Sequence, residues 1–304
     1  MTVRSISLPF LFLLTLLMAG LPARGQAIKS SFFVFNNGIR DTAQYKSPEQ
    51  QVTLAARMGF DGVEKEELDN FAPYYQAMKA KNLKLNAIYV KLDLDNDQQP
   101  YDPKLEEVFK LIQGTEALPW FYIVSKKYAP SSPAGDSTAI LKIRQVADLA
   151  QRYGLKVALY HHMWFWLQTP QDAIRVLEQV NRRNAGMTFN LCHFLAGLHY
   201  AGKKAEPAFT QLAAQSLPYL FAVSVNGASF PPADGTRAHI WESLILPLDK
   251  GTYHTYRYLK TFWDGGFRGP VGLQCYNVNE AKANHLKRSV QTWEQYKKRY
   301  QPGK

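Results

Sequence analysis

Lys156-Val-Ala-Leu-Tyr-His-His162 is a short β-forming run that closes on two imidazoles. Met187-Thr-Phe-Asn-Leu-Cys-His193 and Pro270-Val-Gly-Leu-Gln-Cys-Tyr276 have the same build: apolar residues first, then groups able to bind a metal or move a proton. Each follows a helical segment closed by Gly or Asn. Strands buried on both faces read as continuous apolar runs. Polar side chains at the ends of successive buried strands are how parallel α/β folds assemble a site.

Moving outward from these three runs, strand and helix alternate along the whole chain. Strands are expected over Ser31–Asn36, Gly59–Glu64, Leu83–Leu92, Pro119–Val124, Leu155–His162, Gly186–Cys192, Leu220–Asn226 and Pro270–Cys275. Helices are expected from Ser47-Pro-Glu-Gln onward, then over Phe71–Lys81, Lys104–Leu111, Asp136–Tyr153, Pro170–Asn181, Ala205–Ser216, Thr252–Gly265 and Ala281–Tyr300. Within Asp136–Tyr153, Ile140, Ile143, Val146, Ala147 and Ala150 recur at three- and four-residue steps, the helical period. Ser47 followed by Pro and an acid is a helix start. Met58-Gly59, Tyr153-Gly154 and Gly265-Gly266 place glycine where a left-handed helix cap is expected. Eight such units predict a single α/β domain, a (β/α)8 TIM barrel over residues 28–304. An open doubly wound sheet fits less well, because no Gly-rich phosphate loop follows the first strand.

Residues 1–27 stand apart. Arg4 precedes an apolar run, Leu8–Leu21, and Gly25-Gln-Ala27 offers the small residues that a signal peptidase reads. The run is short for a membrane span and no later segment is long and apolar enough to be one. The expectation is an exported protein, periplasmic or secreted, cleaved near Ala27. Losing Arg4 and Arg24 lowers the formal net charge from +11 to +9. The cations are spread along the chain and not gathered in one block, so the charge argues for solubility and no nucleic-acid partner is expected. Two cysteines make a poor disulfide framework. Cys192 and Cys275 read as small buried hydrophobes, although proximity across a barrel would permit a bridge.

In a barrel the strand ends converge on one mouth. They bring Asn36, Asn37, Glu64, Tyr89, Lys91, His161, His162, Asn190, His193, Asn226 and Gln274 together. Glu64 is a candidate general base or metal ligand; the competing reading starts a solvated loop at Glu64-Lys-Glu-Glu67. His162 and His193, at the ends of neighbouring strands, are the strongest pair for metal binding or proton transfer. Strand alternation turns His161 away from its neighbour. His199, His239, His254 and His285 have no partner pattern. Trp164, Phe165 and Trp166 stack on a sugar ring or wall the pocket, with packing the safer reading for two of the three, and Trp164 is the one assigned to substrate. Asn226-Gly-Ala offers an amide beside a flexible glycine, suited to a hydroxylated ligand, and Tyr89 and Gln274 complete the substrate-binding set.

These endings resemble the xylose-isomerase-like TIM barrels, the superfamily of sugar phosphate isomerases and epimerases that also contains endonuclease-IV-like proteins. The resemblance spans the chain beyond the leader. It is closest to an exported branch through Tyr160-His-His162, Phe189-Asn-Leu-Cys-His193, Asn226-Gly-Ala228 and Gly269-Pro-Val-Gly-Leu-Gln-Cys-Tyr276. It implies a divalent cation held by a strand-five Glu, a strand-six Asp, a His and a strand-eight Glu. Those positions fall here on Tyr160, Asn190, His193 and Gln274, so every anionic ligand is neutral. Mg²⁺ depends on carboxylate oxygens, whereas His162, Asn190, His193 and Gln274 would suit one divalent transition metal such as Zn, Ni, Mn or Co. The preferred function is an isomerase or epimerase, with lyase chemistry open, acting on a small-molecule keto- or aldo-sugar. Glu64, His162 and His193 would carry the proton. The alternative is a sugar-binding barrel without chemistry. A metal-dependent endonuclease fits least, since it needs many carboxylates. Oligomeric state is not encoded in any pattern seen.

Overall fold

A computed structural model describes residues 28–202, 205–231, 237 and 239–302; the expected leader lies outside them. Eight strands form a closed, all-parallel barrel in sequence order: β1 (Phe32–Val34), β2 (Gly62–Glu66), β3 (Lys84–Asp93), β4 (Leu118–Val124), β5 (Val157–Leu159), β6 (Ala185–Asn190), β7 (Leu220–Val225) and β8 (Val271–Leu273). β8 pairs with β1 through Phe32–Val271 and Val34–Leu273, which closes the ring. The first half carries helices α1 (Asn36–Ile39), α2 (Pro48–Met58), α3 (Phe71–Ala80), α4 (Leu105–Ile112) and α5 (Asp136–Arg152). The second half carries α6 (Pro170–Val180), α7 (Leu191–Tyr200), α8 (Ala205–Ser216), α9 (Ile240–Leu244), α10 (Thr255–Asp264) and α11 (Lys282–Arg299). The expected barrel is the observed one.

Local chemistry explains the element starts and stops. Ser47 accepts from the Gln50 N–H while the Gln50 side chain accepts from the Ser47 N–H, a capping box that opens α2 with Pro48 at its first position. Thr169 and Asp172 build the same box before Pro170 in α6. Gly59, Gly154 and Gly266 all adopt the left-handed backbone that ends a helix without steric penalty.

The barrel interior is filled by aromatics set against very small residues. Phe33, Phe35, Trp120 and Tyr160 cluster with Ala87, Ala158 and Ala222. At Gly272 a Cβ would lie 2.5 Å from both Phe33 and Phe35, so those rings occupy the space a side chain would need. The alternation in β5 is plain: Ala158 and Tyr160 face the barrel axis cluster, while Val157 and Leu159 join the outer core against the helices.

Three features differ from the sequence expectation. β5 and β8 are three residues long, shorter than the runs Leu155–His162 and Pro270–Cys275. β6 ends at Asn190 and α7 starts at Leu191, so His193 lies in the first helical turn and not on a strand end. The reason is visible in Leu191, Phe194, Leu195 and Leu198, whose helical spacing overrides the β character of Phe-Asn-Leu-Cys. α1 and α9 are short elements inside loops over the mouth. Cys192 and Cys275 are both buried free thiols, as small core residues would be.

Candidate active site

A cavity of about 330 Å³ opens at the C-terminal end of the barrel, lined chiefly by Glu64, Tyr89, Tyr160, His162, His193 and Gln274. It is an aromatic chamber. Tyr89 and Tyr122 stack with centroids 4.3 Å apart, Tyr160 meets Tyr89 edge-on, and Trp241 from α9 meets His193 edge-on. Burial pushes the phenols of Tyr89 and Tyr160 well above their ordinary range, so both are neutral hydroxyls.

Glu64 reaches this cavity from β2. Its Oε2 accepts the Asn36 N–H at 2.8 Å, and its own carbonyl accepts the Tyr74 hydroxyl at 3.0 Å. Oε1 accepts no hydrogen bond from any of the described residues and is the oxygen left open to the cavity. Desolvation raises the Glu64 carboxyl to about 8, only partly opposed by the Asn36 N–H. At neutral pH it is a carboxylic acid with a proton to donate.

His162 and His193 face each other with ring centroids 4.0 Å apart, and Phe165 stacks on His162 at 4.0 Å. One backbone residue sets both tautomers. The Met163 carbonyl lies 2.9 Å from His162 Nδ1, so that nitrogen carries the proton and Nε2 keeps its lone pair. The Met163 N–H donates to His193 Nδ1 at 3.4 Å, so His193 carries its proton on Nε2. Burial lowers His162 to about 4 and His193 well below its ordinary value, so both rings are neutral. The pair therefore offers one acceptor and one donor.

The remaining expected residues divide clearly. Tyr89 and Gln274 line the cavity, but Gln274 Oε1 is taken by Asn37 Nδ2 at 2.7 Å and by the N–H groups of Cys275 and Tyr276, each at 2.8 Å. Asn190 is fully buried: its Nδ2 donates to the His161 carbonyl and its Oδ1 accepts from Ser224. Its own N–H donates to His161 Nε2 at 2.9 Å, which gives the outward-turned His161 a structural place. Asn226 is likewise sealed away, with Nδ2 donating to the carbonyls of Gly227 and Leu244. Trp164 sits outside the cavity in a left-handed turn, packed on Trp241 and Tyr200 under the Arg237 guanidinium. Phe165, its neighbour, takes the wall position. Tyr122, Trp241 and Tyr276 also line the cavity without having been expected there: Tyr122 lies one inward step beyond Trp120 on β4 and Tyr276 closes the run from Pro270, whereas Trp241, on α9, has no strand-end signal.

The donors do not form a divalent-metal set. Asn190 and Gln274 have their oxygens occupied, His193 presents an N–H, and no group of three or more His, Cys, Asp or Glu suited to a metal occurs among the described residues. The set His162, Asn190, His193 and Gln274 is thus not assembled as a coordination sphere.

The family profile described as Xylose isomerase-like TIM barrel matches residues 52–296. The chain belongs to that family. Among solved structures, this xylose isomerase-like barrel is similar to D-allulose 3-epimerase from Methylomonas sp. in complex with D-allulose: 14% identity, TM-score 0.66, covering 90% of this chain and 99% of that one. It is similar to the apo 3-keto-D-glucoside 4-epimerase of E. coli at 12% identity and TM-score 0.66, over 88% and 100% of the two chains. A xylose isomerase-like TIM barrel protein from Mycobacterium smegmatis, in complex with magnesium, superposes at 16% identity and TM-score 0.64, over 88% and 97%. Identities this low carry the fold alone. No curated protein matches the sequence.

Proposed function

We propose that this barrel is an exported enzyme that isomerises or epimerises a keto- or aldo-sugar by proton transfer beside the carbonyl, without a metal. One observation carries the reading: Glu64 and His162 present a protonated acid and a free imidazole lone pair to the same aromatic cavity. His162 Nε2 takes the proton from the carbon next to the carbonyl, and Glu64 Oε1 gives its proton to the carbonyl oxygen. The product of the step is a neutral enediol, an imidazolium and a carboxylate. Return of the imidazolium proton to the adjoining carbon, with Glu64 regaining its proton from an enediol hydroxyl, restores both residues and yields the isomer; the epimer follows when the enediol turns its other face to His162 before that return. Loss of a substituent from the next carbon along would make the same start a lyase reaction. His193 Nε2–H is placed to hold a sugar hydroxyl, and the stacked Tyr89 and Tyr122 offer an apolar face to the ring. Neighbours named for D-allulose and 3-keto-D-glucoside support a carbohydrate substrate, and the apolar run Leu8–Leu21 supports export.

The deciding experiment is solvent exchange. The purified protein, treated with a chelator, is incubated with keto- and aldo-sugars in D₂O and the C–H signals are followed by NMR. Deuterium should enter beside the carbonyl with wild type and fall at least about a hundredfold with His162→Ala. Saturable sugar binding with no exchange by any sugar would move the assignment to a binding protein. That second reading draws on Tyr160, Asn190 and Gln274, neutral where the family resemblance implies anionic ligands.

A further inference from the structure

A second cavity of about 620 Å³ adjoins the first, and the two share Asn37 and Ile245. The first is enclosed by rings; the second is polar and lies between α9 and the loop that joins β8 to α11. Its walls carry Glu242, Lys250, Asn277, Asn279, Glu280 and Lys282. The wall is firmly built: Glu280 is held by both Lys250 and Arg288, Lys282 Nζ donates to the Asn37 carbonyl at 3.2 Å, and Asn37 is tied to Gln274. Within that frame the exposed side chains of Asn277 and Asn279 bond to none of the described residues, and Asn277 is held in the left-handed region. Amides with both donor and acceptor unspent match the vicinal hydroxyls of a sugar or polyol. At the junction stands Tyr276, a rim residue of the first cavity and 53% exposed, a ring surface on which a second sugar face can lie.

We infer that the ligand is a two-unit carbohydrate, a glycoside and not a free monosaccharide, with one ring in the aromatic cavity and a second hydroxylated unit in the adjoining polar groove. The inference rests on the carbohydrate reading of the first cavity and extends it. A chamber of about 330 Å³ has room for one hexose ring. The groove continues from it past Asn37 and Ile245, the residues that both cavities share.

The test is a calorimetric titration of the full protein with D-fructose and D-glucose, and with isomaltulose, lactulose, cellobiose and maltose. At least one disaccharide should bind about tenfold more tightly than either monosaccharide. In Asn279→Trp, which fills the groove, and in Tyr276→Ala, which removes the junction ring, the disaccharide-to-monosaccharide affinity ratio should fall close to one. Monosaccharide binding with no disaccharide gain, or a gain that survives both variants, overturns the groove assignment and leaves the first cavity intact as a sugar site. Failure of every sugar to bind overturns both readings at once.

Discussion

Glu64 is the residue on which chemistry and stability pull in opposite directions. Its carboxyl is buried with a single N–H partner, so its folded pKa stands near 8 against an ordinary value of 4.5. Between those values the folded chain holds a proton that the unfolded chain has lost. Stability from this group is therefore fully present below about 4.5 and falls as pH rises toward 8. Glu64→Gln keeps an oxygen for the Asn36 N–H and removes the titration. Urea unfolding should show the variant more stable than wild type by about 4 kcal/mol at pH 8 and nearly equal at pH 4.5. Exchange activity should fall by two orders of magnitude in the same protein, because the amide has no acidic proton to lend. An advantage over wild type no larger at pH 8 than at pH 4.5 would mean that the carboxyl is not protonated in the fold. The place of Glu64 and His162 in the cavity was readable from the sequence, since each falls on the inward step of an alternation, Glu64 and Glu66 along β2 and Ala158, Tyr160 and His162 along and beyond β5. The direction of the Gln274 and Asn190 amides was not, because it is fixed by partners such as Asn37, Ser224 and His161 that lie 29 to 237 residues away in the chain.

At the scale of elements, Asn226-Gly-Ala228 shows how a motif suited to a ligand turns out to hold a loop. Asn226 Nδ2 reaches the Leu244 carbonyl at 2.6 Å and so ties the last turn of α9 to the end of β7. Thr255 at the start of α10 donates to the Asn226 carbonyl. Gly227 pairs with Leu246 in an antiparallel bridge, and a Cβ there would lie 2.0 Å from the Pro247 carbonyl oxygen. The cluster thus positions α9, and α9 delivers Trp241 to the cavity against His193. Asn226→Ala should cost about 1–3 kcal/mol, the loss of a buried amide bonded to two carbonyls. Gly227→Ala, which has backbone on every side and no side chain to yield, should cost more. Thermal unfolding gives the ranking, and fluorescence quenching by added sugar reports whether Trp241 still closes the mouth. If Asn226→Ala unfolds like wild type, the amide is not what holds α9. Repetition of eight strand–helix units with glycine stops made the barrel legible, whereas α9 and its tether depend on contacts that no local period records.

Over the whole molecule, neutral buried imidazoles and the neutral buried carboxyl set opposite limits. His161, His162 and His285 are held down to about 3, 4 and 4, each chiefly by desolvation. A histidine of depressed pKa favours the fold fully above about 6.5, and the contribution is lost as pH falls through the folded value. Several histidines thus weaken the fold on the acid side while Glu64 weakens it on the alkaline side. The melting temperature should peak near pH 6–7, and the alkaline decline should flatten in Glu64→Gln. Activity should follow the protonation states that the chemistry needs. His162 must be free of its second proton and Glu64 must hold its own, so the rate is expected to be flat between about 4.5 and 7.5 and to fall on either side. The neutral donor set also requires the profile to be unmoved by a chelator, with the melting temperature of chelated and Zn²⁺-supplemented protein agreeing within about a degree. A rate abolished by chelation and restored by one divalent metal would show that the His162–His193 tautomer pair rearranges to ligate an ion. The proton transfer drawn here would then have to be replaced by a metal-assisted one.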